Sequence, residues 1–306
     1  MTRAAAATAA SAPPTIHRAE ERRLRSEPSP SDARVAVAYP GPPGSHTAAA
    51  AAALFPSAAA RAAASFRAVA EAVIDGAAAY GVLPIESSVA GAVAETHDLL
   101  YELELSIVAE TVQPIRHCLA GVAPLALADV RVVRSHPAAF EQCRAVLDGV
   151  ATIPAATTAD AARIVSERND PTEVALASPE AVRLYGLTVL ADDVGDHTAY
   201  TRFVAIAPHT VLDAADARTA LAFVTDHRPG ALHAAITPLA AAGVDLQRLV
   251  SRPLPLTPFR YRFDAVVAGH PLDPVVRAAL TAMRTATREL RVLGVYEAHD
   301  AQEAAR

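Results

Sequence analysis

Arg34-Val35-Ala36-Val37-Ala38-Tyr39 runs into Pro40-Gly41-Pro42-Pro43-Gly44, then Ser45-His46-Thr47 and the alanines 48–53, and the architecture can be read outward from this stretch. The first six residues have the composition of a buried strand. Glycines and prolines together force a turn. Ser45 or Thr47 can accept a hydrogen bond from the first free amides of a helix, which the alanine run then propagates. A strand, a glycine-rich turn and a helix start leave free N–H groups facing the turn, an arrangement that suits an anion. The turn has neither the dinucleotide nor the P-loop glycine spacing, so it is not read as a nucleotide site.

The same unit recurs downstream. Tyr80–Ile85 is a short apolar run broken at Pro84 and followed by Glu86-Ser87-Ser88. Val89, Val93 and Leu100 share a helical face, which sets Glu86–Ser88 at a strand-to-helix mouth. Leu105–Val112 reads as a strand. Val130–Arg134 is another, ending at Ser135-His136-Pro137 before a helix face of Phe140, Cys143 and Val146. Thr157-Thr158 precedes a helix carrying Ala162 and Val165, Val174–Ala177 is a strand, and Ser178-Pro179-Glu180 opens a helix to Leu184. Repeated strand–turn–helix units predict an α/β region with parallel pairing. The polar turns at Gly44–Thr47, Glu86–Ser88, Ser135–His136 and Thr158 all fall at carboxyl ends of strands, the ligand side of an open α/β sheet. Ala199-Tyr200-Thr201-Arg202-Phe203 opens a further strand, whose pleat sends the hydroxyl and the guanidinium to opposite faces.

Beyond residue 218 the pattern changes. Strands at Thr219–Thr225, Val244–Val250, Phe259–Val267 and Glu289–Tyr296 alternate with helices carrying Leu232, Ile236 and Leu239, and Val276, Leu280 and Met283. That order is the ferredoxin-like βαββαβ arrangement. The expected division is a disordered tail 1–33, a two-lobed α/β unit 34–208 with its ligand cleft at the carboxyl ends of strands, a linker 209–217, a βαββαβ unit 218–298 and a tail 299–306.

Composition narrows the function classes. The chain of 306 residues is 52% apolar with a net charge of −6, and it contains neither Trp nor Lys. Arginine therefore carries all the fixed side-chain positive charge, without a basic block of the kind that binds nucleic acid or acidic membranes. Cys118 and Cys143 lack metal-ligand or disulfide-framework spacing, so a reducing, cytoplasmic compartment is expected. No run of 18 uncharged apolar residues predicts a membrane span, and residues 1–33 lack the apolar core of a secretory signal.

These motifs resemble those of prephenate dehydratase from Arg34 to Ala298. The matching stretches are Ala38–Thr47, Gly81–Gly91, Ser135-His136-Pro137 with Gln142-Cys143, Tyr185-Gly186-Leu187 and Thr201-Arg202-Phe203. The C-terminal part resembles the regulatory ACT domain of those enzymes at Gly230-Ala231-Leu232-His233, Ser251-Arg252-Pro253 and Leu293–Tyr296. The resemblance implies conversion of prephenate to phenylpyruvate with loss of carbon dioxide and water, no metal or organic cofactor, an L-phenylalanine-binding ACT domain and a homodimer or homotetramer. It assigns catalysis to Thr201, Arg202 and Glu86, and substrate contact to Gly44, Ser45, Thr47, Ser87, Ser88, Ser135, Thr158 and Phe203. Effector contact falls to Gly230, Ala231, Leu232, Asp245, Leu246, Ser251 and Arg252. Thr201 would donate to the departing hydroxyl as a positioned donor. Arg202 would hold a carboxylate or brace Glu86, which is itself read as a brace or a base. Ser87 and Ser88 are ligand contacts or helix caps, His136 shapes a turn, His46 is a second donor or a surface ring, and Arg252 serves the effector or the domain interface.

Several positions depart from the family pattern. Ala199 and Ser87 stand where Asn is usual, His46 where an aromatic is common, Val250 replaces Glu and Asp245 replaces Asn. A lost amide removes a donor and an acceptor together. Two other readings therefore stay open: a non-aromatising prephenate decarboxylase of secondary metabolism, and a catalytically silent amino-acid-binding regulator.

Overall fold

The structure, a computed structural model, describes residues 35–103, 105–209 and 216–297. The expected tail 1–33, most of the linker 209–217 and the tail 299–306 lie outside the described residues.

From the amino end the elements are β1 (Ala36–Pro40), α1 (His46–Leu54), β2 (Ala59–Ala63), α2 (Phe66–Ile74), β3 (Tyr80–Ser87), β4 (Gly91–Ala92), α3 (Ala94–Glu102) and β5 (Ser106–Ile115). Next come β6 (Cys118–Gly121), β7 (Val132–Ser135), α4 (Pro137–Gln142), β8 (Ala151–Pro154), α5 (Thr158–Arg168), β9 (Glu173–Ala177), α6 (Pro179–Leu184), β10 (Thr188–Ala191) and β11 (Ala199–Ala207). The last are β12 (Ala217–Val224), α7 (Ala231–Ala241), β13 (Leu246–Pro253), β14 (Tyr261–Ala268), α8 (Pro274–Thr285) and β15 (Glu289–Glu297).

Two sheets result. One runs β13-β14-β12-β15-β5-β11-β3-β1-β2 with β4 beside β3, and the other runs β10-β6-β9-β7-β8. The second sheet is inserted between β5 and β11, which are antiparallel neighbours in the first. Pairing is mixed where the sequence predicts parallel strands. The β1–β2, β1–β3, β7–β8 and β7–β9 ladders are parallel, whereas β11 is antiparallel to both β3 and β5.

Local chemistry explains the elements. Ser45 caps α1 by accepting from the Ala48 amide at 3.2 Å, and Ala50 and Ala51 are buried on the helix's inner side. Gly44, at φ +83°, has no room for a side chain, because a Cβ would lie 2.9 Å from the Ala181 Cα. The Gly44 carbonyl accepts from Ser178 Oγ at 2.9 Å, so this turn joins the first sheet to the start of α6. Pro84 lies inside β3 without an amide to give, and the pairing with β11 slips between Arg202 and Phe203 at that point.

Apolar clusters pack both faces of each sheet. Val69, Leu83, Ile85 and Ile206 fill one side of the first sheet, and Val37, Phe55, Val82 and Phe203 fill the other. The C-terminal elements follow the expected βαββαβ order, with Leu221, Phe223, Leu239 and Met283 beneath α7 and α8. Within the first sheet their strands join β5 through one parallel register pair, Gly294 with Ile107. Gly294 is required there because a Cβ would run into the Ile107 backbone.

Candidate active site

A cleft of about 720 Å³ opens between the two sheets. Its floor is one face of β11 and β3, where Ala199, Thr201 and Phe203 alternate inward and Ser87 and Pro84 sit opposite Thr201 and Phe203. Its rim is built from helix starts. Ser45, His46 and Thr47 open α1, Ser65 and Phe66 open α2, and Thr157, Thr158 and Asp160 open α5. Ser65 and Thr157 cap their helices by accepting from Ala68 and Asp160 amides at 3.1 and 2.9 Å. No arginine lines the cleft among the described residues, and this chain has no lysine. Positive potential there comes from helix N-termini.

Two histidines face each other across the cleft wall. His46 and His117 meet edge to face at 5.8 Å, with His46 Nε2 and His117 Nδ1 buried and without a hydrogen-bond partner. Burial, then the neighbouring His117, lowers the His46 pKa to about 4. Burial also lowers His117, partly offset by its 3.3 Å contact with Gln142 Oε1 and by Asp193. His46 is therefore a neutral imidazole at pH 7.

Of the residues expected at the substrate, Ser45, Thr47, Ser87, Thr158, Thr201 and Phe203 line this cleft. The others lie elsewhere. Gly44 is behind the rim against α6. Ser88 Oγ accepts from the Tyr200 amide at 2.9 Å and ties β3 to β11. Ser135 is fully buried and donates to the Leu176 carbonyl at 2.6 Å. Glu86 and Ser87 remain in β3 and do not open a helix, since α3 begins only at Ala94. His136 lines the cleft and caps α4 through Nδ1, which accepts from the Ala138 amide at 3.1 Å.

Arg202 and Glu86 are placed apart from the cleft. The pleat turns both to the back of the sheet, so the guanidinium does not reach the cleft that Thr201 lines. Arg202 Nη1 meets Glu110 at 2.7 Å and its Nε meets Glu86 at 3.4 Å. Burial opposes the Arg202 charge, but Glu110 and Glu86 more than offset this and hold its pKa above the ordinary guanidinium value. The two share a basin of about 440 Å³ with Arg218, Asp245, Arg248 and Tyr296.

His117, Gln142, Ser65, Thr157 and Asp160 also line the cleft and were not expected there. His117 lies where the chain crosses from β5 to β6, so its position depends on how the two sheets close. Cys118 and Cys143 are free and buried, and burial is the main reason both thiols are pushed up to about 12. Among the described residues no cluster of three His, Cys, Asp or Glu side chains could hold a metal ion, and no helix is long and apolar enough to cross a membrane.

The expected effector residues fall in separate places. Ala231 and Leu232 line a pocket of about 580 Å³ at the start of α7, beside Gly230 at φ +78°. Asp245 faces the basin behind Arg202, and Leu246 packs in the C-terminal core. Ser251 is exposed on the edge strand β13, and Arg252 pairs with Asp98 of α3 at 2.7 Å.

Residues 37–211 match the family model of prephenate dehydratase. The chain belongs to the prephenate dehydratase family. It is 34% identical over 284 residues to arogenate dehydratase/prephenate dehydratase 1, chloroplastic, of Arabidopsis thaliana, spanning 87% of this chain and 72% of that one. It is 37% identical over 233 residues to the bifunctional N-acyl-homoserine lactone acylase/prephenate dehydratase of Komagataeibacter europaeus, across 74% of this chain and 83% of that one. A solved prephenate dehydratase from Arthrobacter aurescens in complex with L-Phe has a TM-score of 0.80 at 30% identity, covering 86% of this chain and 90% of that one. Membership in the prephenate dehydratase family makes the protein a lyase of aromatic amino acid biosynthesis.

Proposed function

We propose that the protein converts prephenate to phenylpyruvate, with feedback by L-phenylalanine through a C-terminal ACT domain. The observation that carries the reading is Thr201 on the floor of a cleft ringed by helix N-termini. Prephenate is a dianion, and backbone amides at the starts of α1, α2 and α5 can hold its two carboxylates without a side-chain cation. The ring carboxylate leaves as carbon dioxide, its bonding electrons aromatise the ring, and the hydroxyl departs from the opposite carbon. Thr201 donates a hydrogen bond to that oxygen as the C–O bond breaks, and solvent supplies the proton with which it ends as water. Neutral His46 offers a second polar contact within the same walls, and closure of the two sheets excludes water from the departing carboxylate.

Ala199 and Ser87 favour one rival. Both line the cleft beside Thr201 where the family pattern has Asn, so two amides are missing from one surface. Loss of carbon dioxide without aromatisation needs no donor to the hydroxyl, and such a decarboxylase is the second reading.

The unit 34–208 would carry catalysis, with 218–298 as the sensor. Ala231 and Leu232 are remote in the fold from Asp245, Ser251 and Arg252, so one ligand touching both groups needs a second copy of the chain. The edge strand β13 and its exposed Ser251 suit such a homodimer or homotetramer. Two free, buried cysteines fit a reducing cytoplasm.

One assay decides the reaction. Purified protein is incubated with prephenate at neutral pH and the product's ultraviolet spectrum is read in alkali. Phenylpyruvate supports the first reading, a non-aromatic keto acid the second, and unchanged prephenate removes both. A rate indifferent to millimolar phenylalanine removes the feedback role of Gly230, Ala231 and Leu232.

A further inference from the structure

The two strands that floor the cleft are gripped from behind by the C-terminal unit. Thr201 and Ser87 look into the cleft, while their chain neighbours Arg202 and Glu86 look out of its back. Arg202 is paired with Glu110 of β5 at 2.7 Å and with Glu86 of β3 at 3.4 Å. The same two carboxylates are also held from the far side. Arg218 of β12 pairs with the Glu110 oxygen that Arg202 uses, and Arg248 of β13 meets Glu86 Oε2, also shared with Arg202, at 3.4 Å.

We propose that Arg218 and Arg248 are positioning residues for the reaction, acting through Glu110 and Glu86 on Arg202 and so on the placement of Thr201 and Ser87. Three observations support this. First, backbone pairing does little at the seam, because β15 and β5 share a single register pair, Gly294 with Ile107. Side chains must therefore fix the angle between the units. Second, the Glu110 side chain is about 1% exposed, and separating a carboxylate so buried from its cations is costly. Removing Arg218 would take one of the two guanidinium groups off the Glu110 oxygen that Arg202 also uses, and draw the Arg202 side chain, with its strand, toward Glu110. Third, β11 and β3 slip register at Arg202–Phe203, beside Thr201. A bulge is where a strand bends most readily, so a pull on Arg202 reaches its neighbour's hydroxyl. The basin of about 440 Å³ around these groups gives the arginines room to shift without a clash.

The inference rests on the cleft being the active site, and its test separates the two. Arg218→Gln and Arg248→Gln are compared with Arg291→Gln. Arg291 also joins the units, donating to the Tyr101 carbonyl at 2.7 Å, but touches neither Glu86 nor Glu110. Amide hydrogen exchange is followed over residues 80–87 and 199–207, together with kcat and KM for prephenate. Expected are faster exchange in both segments and a kcat lower by about tenfold with little change in KM, for the first two variants only. Should Arg218→Gln leave Glu110 too poorly compensated to fold, Arg248→Gln carries the test, because Glu86 is partly exposed. Wild-type exchange in folded Arg248→Gln overturns the proposal, as does equal loss in Arg291→Gln. If the wild type turns over no prephenate, the functional reading falls and exchange alone decides the positioning role.

Discussion

Thr201 and Arg202 are consecutive on β11 and serve opposite sides of it: the hydroxyl lines the cleft, and the guanidinium lies 2.7 Å from Glu110 behind the sheet. The side chain expected to bind substrate charge is thus part of the wall's support. The cleft that Thr201 lines has no arginine among the described residues.

Thr201→Ala should lower kcat by about 10²–10³ while KM changes little, as expected for a donor engaged mainly in the transition state. Thr201→Ser should recover part of the rate. Steady-state kinetics on protein with unchanged circular dichroism checks this, and near-normal turnover in the alanine variant removes the role.

The paired change Ala199→Asn with Ser87→Asn should raise dehydratase turnover by about tenfold, one well-placed hydrogen bond's worth of free energy. Both positions line the cleft, but Ala199 is only 3% exposed, so unchanged circular dichroism is required of the variant before its rate is read. Product analysis is as informative as rate, because a switch from a non-aromatic product to phenylpyruvate would establish the natural protein as the decarboxylase.

His46 makes folding stability fall as pH drops. Its folded pKa of about 4 lies below the ordinary histidine value, so the unfolded chain binds the extra proton first. The contribution is fully present above pH 6.5 and is lost as pH falls toward 4, by up to about 3 kcal/mol. Urea unfolding at pH 7 and pH 5 should show a larger acid loss in wild type than in His46→Phe. Equal losses would place the ring in solvent.

Gly294→Ala should destabilise the protein by roughly 2–4 kcal/mol, because the added methyl meets the Ile107 backbone where β15 joins β5. Thermal unfolding followed by two probes would show the C-terminal unit melting before the catalytic sheets, in place of one transition. An unchanged melting curve would mean that the seam relaxes at no cost.

Hydrophobic runs made most strands legible, since Tyr80–Ile85 and Val174–Ala177 leave little choice of structure. Ala59–Ala63 forms β2 without that signal: its alanines have weak strand propensity, and pairing with β1 imposes the conformation. Ser87 and Thr158 were legible as cleft residues because polar turns sit at the carboxyl ends of strands, whereas Thr201, near the amino end of antiparallel β11, was legible only through the Thr-Arg-Phe resemblance. Arg202 shows what a motif leaves out. The pleat did predict opposite faces for Thr201 and Arg202, but which face lines the cleft depends on the β3–β5–β11 order. His117 lies in the crossing between β5 and β6 and Gln142 ends α4, and their meeting at 3.3 Å is a product of tertiary closure.

Ala199 is paired with Ile115 across the β11–β5 ladder, so residues 116–198 occupy the place of a hairpin turn. The whole second sheet is, topologically, one overgrown loop. Closing a long loop costs only slightly more than closing a short one, as the entropy grows with the logarithm of its length. Less still is needed if the loop has already condensed around its own core of Val133, Leu176 and Val174 and brought its two ends together. The cleft, floored by β11, therefore exists only where the ladder that closes this loop is made.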